Sequence, residues 1–402
     1  MLFSIPTAKL KYDDILDFIK QNHREGVGLD YKEDFPKNLE KTICALANTY
    51  GGTVIIGVKD NDGLPEIESR GVEFKLGYEE RVIRISVDNI FPPIIPEVAV
   101  CEKDGLAFVV VRVPQGRETP YTVGRNRVYI RTGNTNTPDD LATLDRIDWI
   151  SQGRKKADEY RNIIIKSMAD RSRNRESIQD LQIPFGIVSI SLGPTHPWEP
   201  LFKDRDMPDL RAKISVNAYS VSFPVVGSNV RTVQGGVSYF EHSKSTGDYN
   251  YLEINKFGYL FYKEDMGEQK VEKRPDGTSE VKERKIQPFK IIRAVDLLLN
   301  SARKLYAINN FQGNLRLTVQ AEKLLKIPVT PFPGQHVWGN PYQTSVDDQL
   351  LWSQDWSPAE LESFEARTER IIDLGAQITF SFGFPEDEHH VRQMILKYSP
   401  KT

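Results

Sequence analysis

The sequence predicts an α+β protein, with a mixed α/β domain at the N-terminus followed by a second, strand-rich α+β domain. Three observations predict this. The chain has 402 residues, more than one ordinary domain holds. Over its first third the hydrophobic pattern alternates between the helical period and the strand period of two. Beyond residue 180 short aromatic and β-branched runs dominate, joined by a few strong helices. The expected division is 1–150, a helical connector at 151–180, and a second domain at 181–402.

In LKYDDILDFIKQN (10–22), Leu10, Ile15, Phe18 and Ile19 fall near one helical face. The first turn is acidic and Lys20 stands near the end, the charge order a helix dipole favours. VGLDYK (27–32) alternates as a half-buried strand does. Pro36 opens a second helix, with Leu39, Ile43 and Leu46 at helical spacing, and Asn48 and Gly51-Gly52 stop it. TVIIGVKD (53–60) is a fully buried strand running out into the turn signal NDG. A third helix is expected over 80–90, ended by FPPIIP, then strands over 97–102, 106–113 and 125–132. From about Asp139 the pattern is helical, and its basic excess suits a solvated connector.

In the second domain, strands are expected at 185–192, 212–221, 236–243, 249–264, 314–321 and 377–384. Helices are expected at 288–308, 358–374 and 387–398. The charged stretch centred on Pro275-Asp276-Gly277 predicts a projecting hairpin or loop. The aromatics from Tyr239 to Tyr262 follow strand alternation and are assigned to a buried sheet face, with a stacking platform as the alternative. Packing is also the default for Trp198, Trp338, Trp352 and Trp356.

Composition excludes several classes. Apolar residues are 39% and charged residues 27%, which is globular and rules out a collagen, a disordered chain or a long coiled coil. A net charge of -3 rules out coating nucleic acid by bulk charge, though a local basic patch remains open. No apolar run approaches the roughly 20 residues a membrane span needs, and the start lacks a signal-peptide core, so a cytoplasmic protein is expected. Two cysteines, Cys44 and Cys101, exclude a thiolate metal cluster and a disulfide framework. The phosphate-binding loop, HExxH, GxSxG and zinc-deaminase motifs are absent. His389 and His390 are adjacent on a helix, which is poor geometry for joint ligation.

One constellation carries chemistry. On a strand over 27–32, Asp30 and Lys32 share one face, while Val27, Leu29 and Tyr31 face the core. Asp60 sits where the buried strand runs out, and Glu25 approaches from the preceding turn. Carboxylate oxygens are the hard ligands Mg²⁺ or Mn²⁺ takes, and phosphate oxygens commonly complete the shell. A lysine beside them holds a phosphate or orients a water. By spacing alone, the same residues also describe an exposed strand edge with an ordinary Asp–Lys pair.

Glu25-x4-Asp30-Tyr31-Lys32 followed by ICALANTYGGTVIIGVKD (43–60) resembles the AlbA-like domain of the Schlafen family. FPPIIPEVAV, FVVVRVPQG and the run from Pro120 through VYIRTGNTN (128–136) extend the resemblance over about residues 10–150. Schlafen-type nucleases use three acids to bind a divalent metal and cleave RNA, notably transfer RNA. The resemblance puts those acids at Glu25, Asp30 and Asp60, and the family's lysine at Lys32. Asp30 stands where the family has Glu, which shortens the reach by about 1.5 Å. Proteins with this domain also include DNA-binding regulators and parts of antiviral systems.

Arg112, Arg117, Arg125, Arg127 and Arg131 cluster near Tyr129. A strand puts Arg125, Arg127, Tyr129 and Arg131 on one face, which suits phosphate contact and base stacking or else is simply solvated. Gly51-Gly52 is assigned to a cap and tight turn rather than to a phosphate contact. The expectation is therefore a metal-dependent endoribonuclease in antiviral defence or stress response, taking Mg²⁺ or Mn²⁺ and favouring RNA, transfer RNA included, over DNA. The alternatives are a non-catalytic nucleic-acid-binding regulator, or a sensor or scaffold subunit of a defence complex. In that last case residues 181–402 would bind a protein partner or a second copy. No membrane contact is expected.

Overall fold

The apolar run at 52–56 becomes the second strand of a mixed sheet in the computed structural model. That structure describes all residues except 1, 117–118, 132–138, 180–184, 198, 225–228, 243–248, 274–278, 331–346, 385–387 and 400–402. The first domain runs α1 (Tyr12–Lys20), β1 (Leu29–Lys32), α2 (Leu39–Ala47), β2 (Gly52–Ile56), β3 (Asp60–Asn61), β4 (Leu64–Pro65) and β5 (Val72–Glu73). It continues with α3 (Tyr78–Asn89), β6 (Ile90–Phe91), β7 (Glu97–Lys103), β8 (Leu106–Val113), β9 (Thr122–Val123), β10 (Tyr129–Arg131) and β11 (Asp139–Leu141).

β1 and β2 are parallel, with Asp30 opposite Val54, and β8 pairs antiparallel with β2, β5 and β7. Ile55 and Val110 pack towards Ile15 and Phe18 of α1, whereas Val54, Ile56, Val109 and Val111 pack towards α2 and α3. Helices cover both faces, which is why β2 lacks polar alternation. Tyr31 and Leu29 join the α1 side, so Asp30 and Lys32 face the α2 side.

The strand expected over 125–132 is shorter, because Gly124 and Arg125 have φ of +60° and +66° and make a turn. The helix expected from Asp139 begins instead as β11, paired with β10, before α4 (Leu144–Ser151) and α5 (Gly153–Ile178). The Thr143 side chain accepts from Arg146 N–H and fixes the start of α4. Rather than standing in solvent, α5 buries Ile164 and Met168 against Tyr249, Tyr251 and Phe261.

The second domain comprises β12 (Ile187–Pro194), α6 (Leu210–Ile214), β13 (Val216–Ala218), β14 (Val221–Phe223), β15 (Asn229–Val233), β16 (Gly236–His242), β17 (Tyr249–Asn255) and β18 (Leu260–Asp265). The hairpin β19 (Gly267–Lys273) and β20 (Ser279–Ile286) leads to α7 (Pro288–Ile308), β21 (Leu315–Glu322), β22 (Gln349–Trp356), α8 (Pro358–Glu362), α9 (Phe364–Ser381) and α10 (Glu388–Tyr398). Seven strands pair antiparallel in the order β15-β16-β17-β18-β12-β21-β22. α7 lies on one face of this sheet and α5 on the other. The aromatics of β16 to β18 are buried between these layers, as their alternation predicts.

Three strand expectations fail here, the first being 249–264, which is two antiparallel strands, β17 and β18, joined by a turn with Gly258 at φ +85°. Residues 377–384 end α9 instead, because Ile371, Leu374 and Ile378 continue a buried helical face that packs on Val391 of α10. Tertiary packing outweighs the local β propensity. Residues 212–221 form α6 and half of a short hairpin. The tip at 274–278, Trp198 and Trp338 lie outside the described residues. No helix among the described residues is long and apolar enough to cross a membrane.

Candidate active site

Asp30 is wholly buried on β1. Burying an isolated carboxylate costs several kcal/mol, so it must be matched by charge. Arg131, equally buried at the end of β10, donates from Nη1 to Asp30 Oδ1 at 3.0 Å. Its Nη2 donates to the carbonyls of Gly26 and Leu29, so one guanidinium ties Asp30 and the preceding loop together. On the other side, Lys32 Nζ lies 2.5 Å from Asp30 Oδ2, an ion pair out of line for a hydrogen bond.

Arg131 reaches Asp30 because the end of α2 holds β10 in place. The Asn48 side chain donates to the carbonyls of Tyr121 and Tyr129 and accepts from Tyr121 N–H. The Thr49 hydroxyl accepts from Arg131 N–H at 2.9 Å while donating to Ala45 O. Both residues are buried. Gly51 follows with φ +71°, where a Cβ would stand 2.7 Å from Val113 O, so the turn admits only glycine. The Asn-Thr-x-Gly-Gly stretch is thus a structural device that delivers Arg131.

Glu25, on the loop before β1, and Asp60, at the start of β3, sit on neighbouring segments. Glu25 N–H donates to Gly63 O at 2.7 Å, which ties its loop to the β3–β4 hairpin. That hairpin turns at Asp62-Gly63, with φ of +52° and +74°, as the NDG signal predicts. Asp60 is exposed at the rim, with Oδ2 accepting from Gly63 N–H. Glu25 Oε1 accepts from Tyr31 N–H at 2.6 Å. Burial, chiefly, and then the negative charge of Asp30 push the Glu25 carboxyl up to about 7, with a smaller push from Asp60. Glu25, Asp30, Lys32 and Asp60 therefore feel one another at one edge of the sheet.

The second domain completes the enclosure. From the loop between α7 and β21, Asn310 Nδ2 donates to Arg24 O and Gln312 Nε2 to Gly28 O. Thr53 of β2 donates to Gln312 Oε1. Tyr50 packs on Phe311 with ring centres 4.9 Å apart and exchanges hydrogen bonds with the backbone of Glu199. The Glu25 loop is thus held from both sides. Nothing in the local sequence around Asn310 or Gln312 signals this; their only mark is distance along the chain.

The arginine face is largely not a surface. Arg131 is interior, as described, because Asp30 needs a counter-charge. Arg112 is half-buried and donates to the carbonyls of Leu2 and Ile5 and to Thr7, anchoring the N-terminal segment. Tyr129 is buried, with Lys41 over its ring. Arg125 stands on a turn, stacked over Phe91, and is exposed, as is Arg127. Arg117 lies outside the described residues.

The donor set at Glu25, Asp30 and Asp60 is all oxygen, which suits Mg²⁺ or Mn²⁺. Among the described residues no three Asp, Glu, His or Cys side chains enclose a metal position. Asp30 is already matched by two cations, so Glu25 and Asp60 are the better donors. A divalent ion held by one or two carboxylates and keeping its waters fits such a set.

A family model described as Schlafen, AlbA_2 matches residues 25–139. Among solved structures, the chain is similar to the DIP2311 protein from Corynebacterium diphtheriae, at 19% identity over 35% of this chain and 28% of that one, with a TM-score of 0.25. It is also similar to the N-terminal domain of a Nitrosomonas europaea protein described as related to the DNA helicase RecG. That match has 17% identity over 34% of this chain and 82% of that one, with a TM-score of 0.21. The chain thus spans little more than a quarter of the first structure. No curated protein matches it.

Proposed function

Residues 25–139 are a Schlafen AlbA_2 domain, which points to a nucleic-acid-related role, and from that premise we propose that the protein is a metal-dependent endoribonuclease. Its substrate is transfer RNA or another structured RNA, in antiviral defence or stress response. The observation that supports this is that the half-buried Glu25 carboxyl feels the charges of Asp30, Asp60 and Lys32 at one edge of the sheet. There the Glu25 carboxyl is pushed up to about 7 by burial and by acids around it. Such a cluster is short of positive charge, and a divalent cation supplies it.

A bound Mg²⁺ or Mn²⁺ would contribute Lewis acidity towards a phosphate oxygen and a more acidic water. The chain's own residues divide the remaining work. Glu25 and Asp60 would hold the ion. Arg131 fixes Asp30, Asp30 orients Lys32, and the partly exposed Lys32 ammonium meets the scissile phosphate as a point charge.

The test incubates the purified chain with transfer RNA and with single-stranded DNA, each in Mn²⁺, Mg²⁺ or chelator. RNA cleavage that needs metal and is lost in Glu25→Gln and Asp60→Asn is expected. Intact nucleic acid in every lane overturns the proposal. The second reading, a non-catalytic nucleic-acid-binding regulator, draws on the Arg131–Asp30 pair, which gives Asp30 a structural use without metal. Binding by that regulator persists in chelator and falls steeply with salt, since phosphate contacts release counterions.

A further inference from the structure

In the second domain a cavity of about 480 Å³ opens between the β13–β14 turn, the start of α7 and the outer face of α10. Its size is that of a small-molecule site. Two kinds of side chain line it. Tyr219, Phe289 and Tyr398 supply flat aromatic surface, with the rings of Tyr219 and Tyr398 5.6 Å apart. Arg293, His390 and Lys397 supply cationic or proton-donating groups, and no Asp or Glu lines the cavity among the described residues. Glu264 engages Arg293 from behind, with Arg293 Nη2 3.1 Å from Oε2. Lys397, which also lines the cavity, is exposed, with its ammonium 4.9 Å from the Tyr398 ring centre.

The backbone is bent to build this wall. Tyr219 and Ser220 have φ of +52° and +60°, a two-residue hairpin turn that ordinarily takes Asn and Gly. Side-chain-bearing residues are strained in that conformation. The Tyr219 hydroxyl donates to the buried Asp296 at 2.8 Å, and this bond holds the ring at the cavity edge.

We infer that this cavity binds a small organic anion carrying a flat ring, of the nucleoside monophosphate class. The ring stacks against Tyr219 and Tyr398, and the phosphate meets Lys397 and Arg293. The site belongs wholly to the second domain and does not depend on the activity proposed for the first.

Calorimetric titration of the full chain with adenosine 5′-monophosphate tests it, with inorganic phosphate and adenosine as separate arms. The nucleotide should bind at least about tenfold more tightly than either part, because both surfaces contribute. Lys397→Ala and Tyr398→Ala, both at exposed positions of α10, should each weaken binding about tenfold without shifting the melting temperature. Glu25→Gln should leave binding unchanged, which separates this cavity from the first-domain cluster. No nucleotide binding at millimolar concentration overturns the inference. So does binding indifferent to both α10 substitutions, or phosphate binding as tight as the nucleotide's.

Discussion

Buried carboxylates occur in both domains, and their surroundings differ. On the second sheet, Glu253 is fully buried, yet it accepts from the Arg171 guanidinium and from the Tyr251 hydroxyl. Close by, Glu176 accepts from Lys263 and Tyr249. Each acid there is closed off by a cation and a phenol. At the edge of the first sheet, Asp30 is matched by Arg131 and Lys32, but Glu25 gains only one backbone donor and faces two further acids. The matched network fastens α5 to its sheet. The unmatched one leaves negative charge at a rim, open to a ligand from outside.

The comparison breaks first at its strongest pair. Arg131→Met leaves Asp30 buried with Lys32 as its one remaining cation, and should cost about 3–5 kcal/mol in denaturant unfolding. A cost under about 1 kcal/mol would mean that water already reaches Asp30. Arg171→Ala should lower stability less, by about 2–3 kcal/mol, since the Tyr251 hydroxyl still serves Glu253. Urea titrations of both variants side by side rank the two networks.

Glu25→Gln should do the reverse and stabilise. The native carboxyl stands near 7, above its ordinary 4.5, so the folded chain holds a proton that the unfolded chain has released. Its contribution is therefore fully present below pH 4.5 and is lost as pH rises through 7. Glutamine keeps the acceptor for Tyr31 N–H and removes the penalty. A gain of about 1–2 kcal/mol at pH 8, after solvent screening, and none at pH 4.5 is expected in chelator. Equal effects at both pH values would show that Glu25 is not held among acids. Asp60→Asn, at an exposed rim, should leave the melting temperature where it was while abolishing any metal-dependent cleavage. The smallest effect belongs to Arg127→Ala, which should flatten the salt dependence of RNA binding by about one counterion.

Much of the first domain is legible in sequence because its signals are local. TVIIGV announces a strand covered on both faces, and NDG announces the turn that brings Asp60 to the rim. The spacing of Asp30 and Lys32 puts them on one face, and they do pair. The same logic puts Arg131 on an open face where the structure buries it, since strand alternation says which residues share a face but not whether another element covers it. Here α2 and β1 do. The buried Asn48 and Thr49 at the end of an apolar helix were the available hint, because polar groups there need partners that local sequence does not supply. In the second domain, ITFSF has the composition of a strand, yet it closes a helix whose face is set by α10.

Asn310 and Gln312 grip the loop bearing Glu25 from 286 and 284 positions away along the chain. Gly28 accepts that grip only because it lacks a Cβ, which would collide with Asn310 O. During synthesis the first sheet can pair long before this clasp exists, as N-terminal domains fold first. The acids are then gathered but their loop is unfastened. The loop can be clasped only after residues 310 and 312 have been made, well after the strands of the first sheet, so the cluster is fastened later than it is gathered.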